Sequence, residues 1–170
     1  LPVSRVTADN KAYDGNTSAS LNTASASLFG VIPGDTVSLD TASATGAFDD
    51  KNVGSVKTVS VSGLAISGAD APNYFLTQPT ATADITSVEL TVSGVTADNK
   101  ASDGHRSGSL NTASASLVGV IPGDTVSLDT ASATGAFDDK TVGPVKTVSV
   151  YGRASPGADA PNYLLTQPTA

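Results

Sequence analysis

The tightest constraint on this chain is an internal copy. Residues Leu21 to Lys51 read LNTASASLFGVIPGDTVSLDTASATGAFDDK, and Leu110 to Lys140 repeat them with a single change, Phe29 against Val118. The offset from Val6 to Val95, 89 residues, also relates Tyr74 to Tyr163 and Gln78 to Gln167. A length of 170 residues suits one domain or two small ones, and the copy decides for two. Repeat one is placed at 1–87 and repeat two at 88–170. The second has no match for Thr82–Thr86, so its last strand is expected to be cut short. Near-identity of this kind suggests recent duplication and a longer parent array. With no Met anywhere, the chain reads as a piece of a larger protein.

A unit of this size buries a modest core and folds alone with a thin margin. Four Phe, four Tyr and no Trp or Met leave Val, Leu, Ile and Ala to fill that core. At 39% hydrophobic residues the composition is not that of a disordered chain. The net charge of −7 makes nucleic acid and anionic membrane surfaces poor partners, because both need a basic face. No Cys is present, which excludes disulfides and thiolate metal sites without fixing the compartment. No apolar run approaches the ~18 residues that span a bilayer.

The local patterns are β throughout. Stretches rich in Val, Thr, Leu and Ser alternate in polarity between Gly, Pro, Asn and Asp turns. Strands are expected at Leu1–Ala8, Thr17–Asn22, Ala24–Val31, Thr36–Thr41, Ser43–Phe48, Val56–Ser62, Asn73–Gln78 and Ala81–Ser87. Leu64–Ile66 reads as a short edge, and Asp14-Gly15 and Pro33-Gly34-Asp35 as turns. Leu21, Leu28, Val37, Leu39 and Phe48 are the core anchors. The fold class is therefore all-β, two tandem immunoglobulin-like antiparallel β-sandwich domains arranged end to end. The junction from Asp84 to Val92 has no Gly or Pro, and so short a link restricts bending. Asp70-Ala71-Pro72-Asn73-Tyr74 and its twin at Asp159–Tyr163 have the spacing of a tyrosine corner. The alternative is a proline turn followed by a core Tyr.

The stretch Lys11-Ala12-Tyr13-Asp14-Gly15, with GVIPGD, FDDKNVG, KTVSVSG and SGADAPNY downstream, resembles the YDG-type repeat across both copies. Such repeats occur in tandem in very large hemagglutinin-like or adhesin-like bacterial surface proteins. The resemblance implies an Ig-like stalk module outside the cell, with no enzyme activity and no defined ligand residues. Repeat two departs from the pattern, since Ser102 stands where repeat one has Tyr13. That departure makes Tyr13 a packing residue at a turn.

Little in the chain can carry chemistry. His105 is the single histidine and stands where repeat one has Asn16. Without Cys or a second His it anchors neither a triad nor a zinc site, so it reads as a surface loop residue. Ser and Thr abound but have no base to activate them. No catalytic, cofactor-binding or metal residue is assigned, and the chain is not read as an enzyme. Asp49-Asp50, Asp35, Asp70 and their twins fall in loops, which leaves calcium open as a ligand. Turn formation by Asp accounts equally well for their placement.

Lys57 shares the inward alternation of Val59 and Val61, as Lys146 does with Val148 and Val150. Three readings stand: a stem on the core with its ammonium in water, an ion pair with a nearby Asp, or a Lys–Asn or Lys–Asp amide crosslink. Leu64 and Ile66 become Arg153 and Ser155, and Ser62 becomes Tyr151. A fully buried pair is rarely exchanged this way. The segment is therefore expected to be an edge or a half-exposed rim where Tyr151 partly covers what was lost, and repeat two to be the less stable copy.

The expected role is structural, a monomeric stalk or spacer in an extracellular or cell-surface bacterial adhesin, partnered by neighbouring repeats of its own chain. The second expectation is a module that itself binds host glycan or protein.

Overall fold

The computed structural model describes residues 1–152 and 155–170. The chain divides into two compact units, Leu1–Thr86 and Ser87–Ala170. Among the described residues both are built of short strands, with one 3-10 turn each at Ala71–Asn73 and Ala160–Asn162. Pro72 and Pro161, at the second position of each turn, pre-set its backbone φ.

Unit 1 is organised on a five-stranded sheet. Its order is Lys11–Ala12, Thr80–Thr86, Gly54–Ser62, Thr45–Phe48 and Ser18–Ala19. In Gly54–Ser62 the residues Lys57, Val59 and Val61 turn inward while Thr58, Ser60 and Ser62 are exposed, the period-2 pattern of a half-buried strand. Ala81, Ala83 and Ile85 do the same from the next strand, and Tyr13 and Phe48 are buried beside them. The rest of the unit is made of short pairs: Val3–Ser4 with Ser27–Leu28, Thr7–Ala8 with Leu21–Asn22, and Ser38–Asp40 with Ala65–Ser67. Val3, Val61 and Leu64 form a buried cluster that Val6, Leu21, Leu28, Leu39 and Leu76 pack against. Gly63 closes the longest strand at φ +79°, where an added Cβ would lie 2.1 Å from the Ser43 carbonyl oxygen, so only glycine fits.

Among the described residues, unit 2 repeats the plan with fewer strands. Val88–Ser93 lies between Ser116–Val118 and Tyr163–Leu165. Ser107–Gly108, Thr134–Phe137 and Val148–Tyr151 form a three-stranded sheet. Val148 and Val150 are buried like Val59 and Val61.

Several expectations change here. The sheets are not purely antiparallel, since Ile85–Thr86 runs parallel to Lys11–Ala12 and Val88–Leu90 parallel to Tyr163–Leu165. Parallel neighbours need a long crossover, and the intervening body of each unit supplies it. Lys11–Ala12, absent from the expected strands, is an edge strand of the five-stranded sheet. The expected first strand breaks at Arg5, whose φ of 61° shifts the register between Val3–Ser4 and Thr7–Ala8. Of Asn73–Gln78 only the Pro2–Thr77 bridge has strand character.

Leu64 is not a rim residue. It is 5% exposed, and the Gln78 side chain binds both its N–H (3.2 Å) and its C=O (2.8 Å). Ile66 is half-buried opposite Leu39. Tyr151 is 55% exposed on the outward side of its strand and covers no core. Arg153, the counterpart of Leu64, lies outside the described residues.

Candidate functional site

Three side-chain constellations recur in the two units, and each is built around the turns that the sequence singles out. The first joins the inward Lys to the FDDK turn. Lys57 Nζ lies 2.9 Å from Asp50 Oδ1 and 3.1 Å from Asp49 Oδ1, with the lysine side chain only 10% exposed. In unit 2 Lys146 Nζ is 2.6 Å from Asp139 Oδ1 and 3.4 Å from Asp138 Oδ1. The ammonium therefore ends on carboxylates and not in open water. Asp50 also accepts the Asn52 N–H and Asp139 accepts the Thr141 N–H, both at 2.7 Å, so each holds its turn and its lysine together. The hydrogen bond from Lys57, then that from the Asn52 N–H, lowers the Asp50 carboxyl below its ordinary value. Asp139, bonded by Lys146 and Thr141, falls well below the usual carboxylate range. The partner lysines are raised, chiefly by Asp50 and Asp139 respectively.

The second constellation is the Tyr-Asp-Gly turn itself. Asp14 Oδ1 accepts the Asn16 N–H at 3.1 Å and Lys11 Nζ at 2.7 Å, while Gly15 takes φ 79°. Lys11 Nζ also donates to the Asn16 carbonyl (2.9 Å) and lies 5.6 Å from the Phe48 ring centroid. Desolvation opposes ionisation of Asp14, but the Lys11 and Asn16 hydrogen bonds more than offset it, and its pKa is lowered. Tyr13 is 2% exposed; its N–H donates to the Thr86 carbonyl at 2.8 Å and its ring lies 5.8 Å from Lys51 Nζ. It packs at the turn as expected. In unit 2 Lys100 pairs with Asp103 and with the His105 carbonyl, and Ser102 and His105 are exposed.

The third clamps the GVIPGD loop. Tyr74 Oη donates to Asp35 Oδ2 at 2.6 Å and accepts the Ile32 N–H at 3.0 Å; Asp70 Oδ2 accepts the Thr36 N–H at 2.8 Å. Tyr163, Asp124, Ile121, Asp159 and Thr125 repeat it at 2.6, 2.9 and 2.8 Å. The hydroxyl does reach backbone directly, but 42 positions upstream, and it donates to a loop Asp besides, so it is a cross-loop clamp and not the local tyrosine corner. The Asp35 hydrogen bond raises the Tyr74 pKa.

The loop aspartates that left calcium open are thus engaged with N–H groups, hydroxyls and ammoniums. Among the described residues no three His, Cys, Asp or Glu side chains converge on one point. One contact escaped sequence reasoning. Asp84 accepts the Val56 N–H through its side chain (2.7 Å), and its own N–H donates to Asn10 Oδ1 (2.7 Å), which ties three segments together. A polar residue inside an alternating strand was its one trace in the sequence.

A family model described as the YDG domain matches residues 1–83 and again 86–170. No curated protein and no solved structure matches the chain.

Proposed function

The chain belongs to the YDG domain family, one copy in each unit, and from that premise we propose that the pair is a segment of the stalk of a bacterial surface adhesin. In this reading each unit is an immunoglobulin-like sandwich. The units are stacked end to end outside the cell, and together they hold a distal binding region away from the surface. The observation that carries the reading is the duplication of internal fasteners. The Tyr–Asp loop clamp and the Lys–Asp turn lock recur at equivalent positions, and each joins parts of its own unit. Side chains used this way favour a mechanical module over a catalytic one. The short link supports stacking, since Ser87 alone separates the strand Thr80–Thr86 from Val88–Ser93.

Small-angle scattering of the intact chain is expected to give an elongated particle about twice as long as one unit. A compact side-by-side particle would overturn the stacked arrangement. The second reading, a module that binds host glycan or protein itself, is favoured by the exposed Phe29, Ile32 and Phe75 of unit 1. A glycan array with a defined hit would put it first.

A further inference from the structure

We propose that Asn16 is an acceptor for N-linked glycosylation, taking a sugar from a phosphate-activated donor. Of the chain's asparagines only Asn16 has Ser or Thr two positions on, in Asn16-Thr17-Ser18. Such a triplet arises readily in a chain rich in Ser and Thr, so its geometry decides. Asn16 follows the Tyr-Asp-Gly turn, and Asn16, Thr17 and Ser18 are all exposed. An attached glycan is bulky and needs a surface position of this kind.

The side chain is also held in a way that suits the reaction. Asn16 Oδ1 accepts the Ser18 hydroxyl, the Ser18 N–H at 2.9 Å and Lys11 Nζ at 3.1 Å. Lys11 is itself fixed by Asp14 Oδ1 at 2.7 Å. Among the described residues no hydrogen bond engages Asn16 Nδ2. The oxygen is thus tied to the protein while the nitrogen is left unengaged. An amide nitrogen is a weak nucleophile because its lone pair is shared with the carbonyl. Three donors on Oδ1, one of them cationic, stabilise the charge that gathers there as Nδ2 gives up a proton. In the transfer an Nδ2–H bond breaks and Nδ2 bonds to C1 of the sugar. The C1–O bond breaks, the phosphate leaves with its electron pair, and the proton goes to a base of the transferring enzyme. Unit 2 has the same loop without the acceptor. His105 stands in place of Asn16, Ser107 keeps the place of Ser18, and Lys100 bonds Asp103 and the His105 carbonyl. One sugar per pair is therefore expected, on unit 1. The inference stands whether or not the array is a stalk.

The test incubates the intact chain, purified from a host without N-glycosylation, with a soluble asparagine-directed glycosyltransferase and UDP-glucose. Intact mass and peptide fragmentation are expected to show the gain of one hexose residue, on Asn16. Asn16→Gln and Ser18→Ala should abolish the gain, and Ser18→Thr should keep it. His105→Asn, which completes the same spacing with Ser107, should add a second hexose in unit 2. A short acceptor peptide serves as the positive control for the enzyme. With that peptide modified, a chain that takes no sugar overturns the proposal. So does a gain that survives Ser18→Ala or falls on another residue.

Discussion

Lys57 sits at an inward position of a strand and Lys146 two residues before one, where a bare ammonium would be costly, and two carboxylates at the mouth of the turn resolve the conflict. The pH dependence follows from the direction of each shift. Asp50 and Asp139 bind a proton less readily when folded, so their contribution is complete above the unfolded value of about 3.9 and is lost as the pH falls through the lowered folded value. Lys57 and Lys146 are raised. Their contribution is complete below about 10.4 and is lost as the pH rises through the folded value. Thermal melts across pH are expected to show a plateau between these limits with a fall at each end. Lys57→Met should flatten both falls in unit 1 and leave those of unit 2. A crosslinked lysine would give neither behaviour, and an intact mass equal to the calculated value is the expected companion result. The alternation that turns Lys57 inward was legible in the sequence. Its partners were not, because Asp49 and Asp50 approach only when the turn folds back on the strand.

Among the elements, Thr80–Thr86 holds the most together in unit 1. It lies between two strands that are distant in sequence, and it buries Ile85 at 1% exposure. Ile85→Ala is expected to destabilise unit 1 by about 2–5 kcal/mol, read as a lower denaturation midpoint with unit 2 unmoved. Strand positions along Gly54–Ser62 and Thr80–Thr86 were legible from alternation and turn residues. The parallel partner Lys11–Ala12 was not, because two residues beside a Tyr-Asp-Gly turn carry no period of their own. Leu64 failed for a related reason. Its exchange for Arg153 between the copies pointed to exposure, whereas its burial is set by Val3, Val61 and the Gln78 amide from distant segments.

For the molecule, the two units share most of their sequence but not their packing. Unit 1 buries Tyr13 and Leu64, whereas unit 2 has an exposed Ser102 in place of the first and Arg153 in the sequence position of the second. Separate melts of Leu1–Thr86 and Ser87–Ala170 are expected to place unit 2 lower. A higher midpoint for unit 2 would contradict the packing difference. Leu64→Arg in unit 1, which copies the exchange, should narrow the gap.

By itself the sequence determined the number of units, their β character, the turns and the absence of cysteine chemistry. Each of these depends on residues close together or on a copy that repeats at one offset. The tertiary structure decided which charges meet, which strands run parallel and which apolar residues are sealed. Tyr74 finds Asp35, Asp84 finds Val56 and Asn10, and Leu64 finds Gln78 only when chain segments 14 to 74 positions apart are brought together. No local pattern records such meetings. The copied block thus specifies the module, while contacts between distant segments decide how its side chains are fastened.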